Sequence, residues 1–173
     1  QRYIISNKFD DANAYISKFA RLMRDSLSMS KLDYISMEKE IDFISNYLDL
    51  EKLRFEDKFE YAIEVDPSLD RESIQVPTLL IQPLLENSIK HGFRHIEKGG
   101  EIEVIFKSVG ETHLEILIRD NGVGIDEMNS VPADQKEKES YGIEIVRQRI
   151  ALIRDRTSDE RTVFEFIPSV KGL

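Results

Sequence analysis

Apolar residues recur every three or four positions along the first part of the chain, with polar residues between them. This spacing predicts an amphipathic helix over residues 7–27. After a break, Ser36 is a suitable N-cap for a second helix that runs to about residue 55. We expect the two helices to form a hairpin, because short connections make consecutive helices antiparallel neighbours.

Both predicted helices carry more apolar positions than one stripe needs. The main stripes are Phe9, Ala12, Ile16, Phe19, Met23 and Leu27 on the first helix, and Ile41, Ile44, Leu48 and Leu53 on the second. The additional positions are Tyr15, Leu22, Phe43, Tyr47 and Leu50. So wide an apolar surface exceeds what one partner helix covers, which leaves two outcomes open: self-association, or packing onto the domain that follows.

From residue 58 the apolar period shortens to two, which predicts a half-buried strand over residues 59–65. A short extended piece near residues 74–76 leads into a helix that ends at Gly92. Pro83 lies inside this helix and has no backbone N–H to donate. The helix should therefore begin late or bend at Pro83.

Two further alternating segments, residues 101–108 and 113–120, predict a β-hairpin that turns at Gly110. Residues 121–140 are polar and show no periodicity. A loop of this length inside a compact domain is usually functional or disordered, and we interpret it as a mobile lid.

A helix over residues 141–154 and a strand over residues 162–167 complete the pattern. In this order the elements predict an α+β fold, in which a helical hairpin precedes an α/β sandwich. The sheet should be mixed and mostly antiparallel, with helices on one face. We divide the chain into a helical region, residues 1–56, and a second domain, residues 57–173.

Composition narrows the class of protein. The chain has 173 residues, 40% of them hydrophobic and 33% charged, as in soluble globular proteins. No apolar run reaches the roughly 20 residues that span a bilayer, and the absence of cysteine excludes disulfides and thiolate metal sites. A formal net charge of −9 argues against nonspecific nucleic-acid binding. A cytoplasmic location is expected.

Candidate chemistry appears first in the helix that ends at Gly92. Asn87, Lys90 and His91 stand at i, i+3 and i+4, so an α-helix would place them on one face. The Asn87 amide oxygen suits Mg²⁺, which prefers a few protein oxygens together with water and phosphate. Lys90 and His91 could then meet phosphates. Taken singly, Asn87 is better explained as part of a solvated helix face and Lys90 as a surface charge. For His91 the alternative is a cation at the C-terminal end of the helix, where the dipole favours it.

A second candidate lies where the 113–120 strand ends. Asp120 could accept a hydrogen bond from an exocyclic amine, and Gly122 and Gly124 allow the backbone to approach a flat ring closely. Taken alone, this pattern is more often an ordinary turn, because Asp and Gly are common after strands. Together with the Asn87 helix it indicates a nucleotide site, with ATP as the ligand.

The start of the last helix is a third candidate. Gly142 lies at this helix start, where free N–H groups and the helix dipole favour phosphate oxygens. Four nearby cations could assist: Lys136, Lys138, Arg147 and Arg149. For each of them a solvated charged segment is an equally good explanation.

Taken together, these segments resemble the N, G1 and G2 boxes of the GHKL superfamily, which comprises gyrase, heat-shock chaperone, histidine kinase and mismatch-repair ATPases. The matching positions are Glu86-Asn87 with Lys90-His91-Gly92, then Asp120-x-Gly122-x-Gly124, and then Gly142. The Gln-Pro-Leu-Leu-Glu-Asn run and the segment at residues 47–55 resemble the LytS-like class of sensor histidine kinases.

The resemblance implies a Bergerat ATP-binding sandwich in which Asp120 recognises adenine, Asn87 binds Mg²⁺ and residues 121–140 form the ATP lid. It implies that Asn87, Lys90 and His91 are catalytic. It also implies a wider ATP-binding set: Glu86, Asn87, Lys90, His91, Asp120, Gly122, Gly124, Gly142 and Ile143.

The same resemblance implies partners. The N-terminal helices would belong to the dimerisation and phosphoacceptor region, so a homodimer and a response regulator are expected. The membrane would be reached only through upstream segments. The γ-phosphoryl of Mg·ATP would pass to a histidine upstream of this chain, because the class motif that carries this histidine should lie just before Gln1.

Three positions depart from the family pattern. Ser140 stands where the first G2 glycine is usual, and Ile145 replaces a frequent asparagine. Pro83 stands where hydrolytic members keep a general-base glutamate, which fits a kinase rather than a hydrolase. Two alternatives remain open: a dimerisation and signal-relay module that no longer binds nucleotide, or an ATPase in which Glu86 serves as the base.

Overall fold

The structure, a computed structural model, describes residues 2–55, 58–94, 96–110, 113–122 and 141–157. Helices and strands follow one another in this order: α1 (Arg2–Met29), β1 (Tyr34–Ser36), α2 (Met37–Arg54), β2 (Phe59–Val65), β3 (Gln75–Pro77), α3 (Gln82–Asn87), a π-helical segment (Ser88–Gly92), β4 (Gly100–Val109), β5 (His113–Asp120) and α4 (Tyr141–Thr157). The predicted α+β class is confirmed. In the described ranges, no helix is long and apolar enough to cross a membrane.

Helix α2 begins where the sequence predicts. The Ser36 side chain accepts a hydrogen bond from the backbone N–H of Lys39 at 3.4 Å, as an N-cap does. Acidic residues lie in the first turn and basic residues in the last, which complements the helix dipole. The helix ends at Arg54, and the Phe55 N–H then donates to the Glu51 carbonyl.

The helical hairpin is confirmed, but the face that α1 turns towards α2 differs from the expectation. Among the α1 side chains that the structure describes, Leu22 and Met29 are buried. The main predicted stripe is exposed at every position whose side chain is described: Ile16, Phe19, Met23 and Leu27. Periodicity identifies apolar stripes, but two adjacent stripes compete for one partner helix, and only the packed structure selects between them.

On α2 the additional apolar positions are buried together with most of the main stripe. Phe43, Tyr47 and Leu50 are buried in the same hydrophobic cluster as β2 and β4. The wide apolar surface of α2 is therefore accounted for by packing onto the domain that follows it. Leu53, a predicted stripe residue, is 51% exposed.

The described strands form two sheets. In the small sheet β1 pairs antiparallel with β3, with Ile35 opposite Val76. This sheet ties the hairpin to the residues that precede α3. Strand β1 was not predicted, because three residues are too few to show a period of two.

In the larger sheet β4 lies between β2 and β5. Strand β2 runs parallel to β4, with Phe59 opposite Gly100, and β5 runs antiparallel, with Val104 opposite Ile118. The sheet is mixed, as predicted. The predicted strand over residues 162–167 lies outside the described residues.

One hydrophobic cluster joins the hairpin, the sheet and α3. Its fully or almost fully buried members include Met37, Ile44, Leu48, Phe59, Leu85, Val104 and Phe106. Helix α3 contacts both α2 and α4. The core therefore holds α3 in place from two sides, with its C-terminal end directed at the end of β5.

Candidate functional site

Helix α3 begins late, as the proline predicts. Pro83 lies in its first turn, where the missing N–H would have no partner within the helix anyway. The N–H groups of Leu84 and Leu85 both donate to the Ile81 carbonyl. The helix therefore starts at Gln82 without a bend at Pro83.

The α-helix does not continue to Gly92. Residues Ser88–Gly92 form a π-helical segment, and the Phe93 N–H donates to the carbonyl of Ser88, five residues earlier, at 3.0 Å. Such segments are rare and occur frequently at functional sites. Because a π turn contains more residues than an α turn, the i and i+3 spacing does not by itself place Asn87 and Lys90 on one face here.

Lys90 forms an ion pair with a residue four positions earlier in the chain. Its ammonium pairs with the Glu86 carboxylate, and both side chains are partly exposed. Lys90 also lines a cavity of about 180 Å³ with Phe55, Lys58, Phe59, Ile89, Phe93 and Arg94. None of these lining residues belongs to the glycine turn at Asp120. Since an exposed ion pair contributes only about 0–1 kcal/mol, the pair leaves Lys90 able to exchange partners.

Asp120 ends β5 and is held through both carboxylate oxygens. The Ser88 hydroxyl donates to Oδ2 at 2.6 Å, and the Gly122 N–H donates to Oδ1 at 3.0 Å. Because each carboxylate oxygen has a further lone pair and the residue is exposed, Asp120 can still accept a hydrogen bond from a ligand. The two hydrogen bonds therefore orient the carboxylate and leave it able to accept a further hydrogen bond.

The backbones of Gly92 and Gly122 touch. A Cβ atom added to Gly122 would lie 2.6 Å from Gly92 Cα and 2.7 Å from the Gly92 carbonyl oxygen. Only a residue without a side chain permits this approach. The end of the π-helical segment and the turn after β5 therefore form one continuous surface.

Asn121 anchors that turn to the neighbouring strand. Its Oδ1 accepts from the Glu101 N–H at 2.8 Å, and its Nδ2 donates to the Gly99 carbonyl at 2.9 Å. With its backbone N–H bonded to the Glu101 carbonyl, both ends of the residue are held. The turn that carries Asp120 is thus pre-organised before any ligand arrives.

Sequence reasoning missed Ser88 and Asn121 as parts of this site. A signal for Ser88 was present: it is a polar residue four positions after Leu84, on the apolar stripe, and it is 7% exposed. A buried hydroxyl needs a hydrogen-bond partner, and here that partner is Asp120. Asn121 carried no such signal, because asparagine is ordinary in turns.

Asn87 and His91 are half-buried and lie on either side of Ser88 in the chain. Within the described ranges no cluster of three acidic or histidine side chains suits a metal ion. A hard ion at Asn87 would therefore take most of its oxygen ligands from phosphate and water, which is how Mg²⁺ is commonly bound. The chemistry of Asn87 fits that ion.

Gly142 and Ile143 lie in the first turn of α4, which contacts α3. The charge of Arg149, a candidate phosphate ligand, also lowers the pKa of the buried Glu40 carboxyl in α2, against the larger opposing effect of burial. Gly124, Lys136 and Lys138 lie outside the described residues, as does residue 140.

Comparison with known proteins decides the family. The family model described as histidine kinase-, DNA gyrase B-, and HSP90-like ATPase matches residues 74–171, more than half of the chain. The chain belongs to this ATPase family. The predicted GHKL sandwich is thereby confirmed, and α3, the π-helical segment and the Asp120 turn all lie in the part that matches.

The N-terminal part of this ATPase family member matches a second model. Residues 1–59 match the histidine kinase family. Similar proteins include the sensor histidine kinase/phosphatase LytS of Staphylococcus aureus strains MRSA252, Mu50 and N315, each 33% identical over 133 residues. The alignment covers 76% of this chain and 22% of each relative. The chain thus spans less than a quarter of the length of these relatives.

Proposed function

We propose that this chain is the ATP-binding catalytic part of a two-component sensor histidine kinase. It transfers the γ-phosphoryl group of ATP to a histidine outside this sequence, and a response regulator then receives the phosphoryl group. The Asp120 carboxylate carries the proposal: it is held by Ser88 and Gly122 where the Asn87 helix meets a glycine turn. The family match over residues 74–171 supports it.

Adenine recognition is assigned to the Asp120 turn. The carboxylate accepts a hydrogen bond from the exocyclic amine, while Gly122 lets the backbone approach the ring. The phosphates extend towards the first turn of α4, where N–H groups at Gly142 and Ile143 and the helix dipole favour anionic oxygens. We propose that Gly124 also contributes to ATP binding.

Phosphoryl transfer asks the protein mainly for positioning and charge neutralisation. Asn87 is proposed to hold Mg²⁺, which would neutralise charge on the phosphates. His91 lies one turn further along, within the same half-buried surface. Lys90 and Glu86 are proposed to exchange their mutual ion pair for contacts with the phosphates and the ion. Pro83 supplies no carboxylate to activate water, which favours transfer over hydrolysis.

We propose that residues 1–56 serve dimerisation and that residues 57–173 form the catalytic domain. The LytS relatives are much longer than this chain. Segments beyond this sequence are proposed to attach the protein to a membrane and to keep this part in the cytoplasm.

Calorimetric titration with a non-hydrolysable ATP analogue, with and without Mg²⁺, tests the proposal. Wild type should bind more tightly with Mg²⁺, and Asn87→Ala should lose that difference while retaining metal-free binding. The expected loss is about tenfold, since one hydrogen-bond-scale contact contributes about 1.5 kcal/mol.

Asn46→Ala is the matched control, because Asn46 is a half-buried asparagine on α2. It should keep the magnesium dependence. A folded wild type that binds no nucleotide would contradict the proposal and would favour a relay module.

A homodimer through α1 is the second part of the proposed function. Ile16, Phe19, Met23 and Leu27 form an exposed apolar stripe that we call the outer stripe of α1. Contiguous exposed apolar surface of this kind commonly marks an association site. Pairing of two copies along the outer stripe would bury it in a helical bundle.

Replacing Met23 with lysine should shift this chain from dimer to monomer, because the dimer would bury an unpaired ammonium. Sedimentation velocity at several protein concentrations measures the effect. Ser17→Lys adds the same charge at an exposed polar position of α1 and should leave the dimer intact. Equal association of the two variants would contradict a dimer through the outer stripe.

A further inference from the structure

Glu40 is a fully buried carboxylate in the first turn of α2. Its side chain reaches the loop between β3 and α3, where Oε2 accepts from the Leu79 N–H at 3.2 Å and Oε1 from the Ile81 N–H at 3.3 Å. Ile81 is the N-cap residue of α3 and has no side-chain cap of its own. A residue from another helix therefore fills the capping role at the start of α3.

The loop that Glu40 holds is strained. Leu79 adopts φ 53°, a left-handed conformation that is unfavourable for a residue with a bulky side chain. Thr78, one residue earlier, is fully buried, and its hydroxyl has no hydrogen-bond partner within the described residues. Strained backbone and an unpaired buried hydroxyl persist only when surrounding contacts impose them. The two hydrogen bonds to Glu40 are such contacts.

Burial raises the pKa of Glu40 to about 7, although the hydrogen bonds from Ile81 and Leu79 and the charge of Arg149 act in the opposite direction. Arg149 on α4 is the charged group that acts on it from a neighbouring helix, and the loop itself, residues 78–81, contains no ionisable side chain. Protonation would turn one acceptor oxygen into a donor that faces a backbone N–H. The ionised form is therefore the form that holds the loop.

We propose that Glu40 is a positioning residue whose ionised carboxylate keeps the start of α3, and with it Asn87, in place for nucleotide binding. Asn87 lies six residues after Ile81 on the short element that Glu40 caps. Because Glu40 belongs to α2, this side chain links a displacement of the α1–α2 hairpin to the nucleotide site. The expected effect on nucleotide binding rests on the proposed function, whereas the expected effect on the position of α3 does not.

The first test compares wild type with Glu40→Gln by calorimetric titration with the ATP analogue at pH 8 and pH 6. Wild type should lose about tenfold in affinity as the ionised fraction of a group that titrates near pH 7 falls. Glu40→Gln should bind weakly at both pH values. Titration of the nucleotide phosphates is common to both proteins and cancels in the comparison.

Asp42→Asn removes one charge from an exposed position of α2 and serves as the control. It should follow the wild-type profile. If Glu40 acted only through the stability of the fold, nucleotide affinity would change with pH in the same direction as stability. Here the two are expected to change in opposite directions. The folded pKa lies above the ordinary value of 4.5, so stability from this group falls as pH rises from about 4.5 to about 7. Affinity should rise over the upper part of that window.

Hydrogen exchange without nucleotide keeps the proposal testable if no analogue binds. Protection of the amides at residues 79–82, 84 and 85, corrected for intrinsic exchange rates, should fall in wild type between pH 8 and pH 6, and should be low in Glu40→Gln at both. Unchanged protection, or identical pH profiles of affinity in wild type and Glu40→Gln, would overturn the proposal. Lack of nucleotide binding with the expected exchange would reject only the proposed function.

Discussion

Asp120→Asn is expected to abolish nucleotide binding while leaving the fold intact. Asparagine has the same shape, its Oδ1 can still accept from the Gly122 N–H, and its amide can donate to the Ser88 hydroxyl, which is able to accept. The local hydrogen bonds therefore survive. What changes is the group presented to the ligand, because a charged acceptor becomes a neutral amide.

The loss should be about 100-fold in affinity, near the upper end of the about 1.5–3 kcal/mol that a hydrogen bond to a charged group contributes, because the amine of adenine would lose its partner. Calorimetric titration measures the affinity, and thermal unfolding confirms the fold. Glu115→Gln, which removes a charge from an exposed position of β5, should bind like wild type. Binding by Asp120→Asn within a few-fold of wild type would remove Asp120 from the nucleotide site.

Gly122→Ala should have the second-largest effect, and it acts through shape alone. The new methyl would lie 2.6 Å from Gly92 Cα and 2.7 Å from the carboxylate oxygen Oδ1 of Asp120. Neither neighbour is the flexible end of a long side chain. The turn must therefore move away from the π-helical segment, at a cost of about 1–3 kcal/mol in stability.

Because the displaced turn carries Asp120, nucleotide affinity should fall by about tenfold or more, in proportion to this strain. Denaturant unfolding and calorimetric titration measure the two effects. Gly110→Ala is the control: its φ of +64° makes alanine unfavourable, yet nothing lies within 4 Å of the added methyl. It should reduce stability and leave affinity unchanged. Equal affinity of the two variants would disprove a functional contact between Gly92 and Gly122.

The elements that the sequence predicted well are those with a strong local signal. Strand β5 has the predicted bounds, His113–Asp120, because its alternation is strict. Helix α2 has a side-chain cap at Ser36 and complementary charges at both ends. The first turn of α3 follows from Pro83 alone. In each case a few consecutive residues contain the whole physical cause.

The features that it did not predict depend on residues far apart in the chain. The π-helical segment closes one residue later than an α-helix would, and in this place it brings Ser88 to Asp120 and Gly92 to Gly122. No local propensity favours such a segment. The inward face of α1 likewise depended on which stripe fits the surface of α2.

In the candidate site, too, some residues were predicted from the sequence, whereas their contacts with one another became known only from the structure. Residue types and spacing were enough to propose Asp120, Asn87 and the glycines as candidates, because close backbone approach and ligand hydrogen bonding favour those residues. Tertiary structure alone decided that Ser88 holds Asp120 and that the loop before α3 is capped from α2. Hydrogen bonds that a side chain makes with a partner 30 or 40 residues away leave no periodic trace in the sequence, since Ser88, Asp120 and Glu40 each resemble an ordinary polar residue.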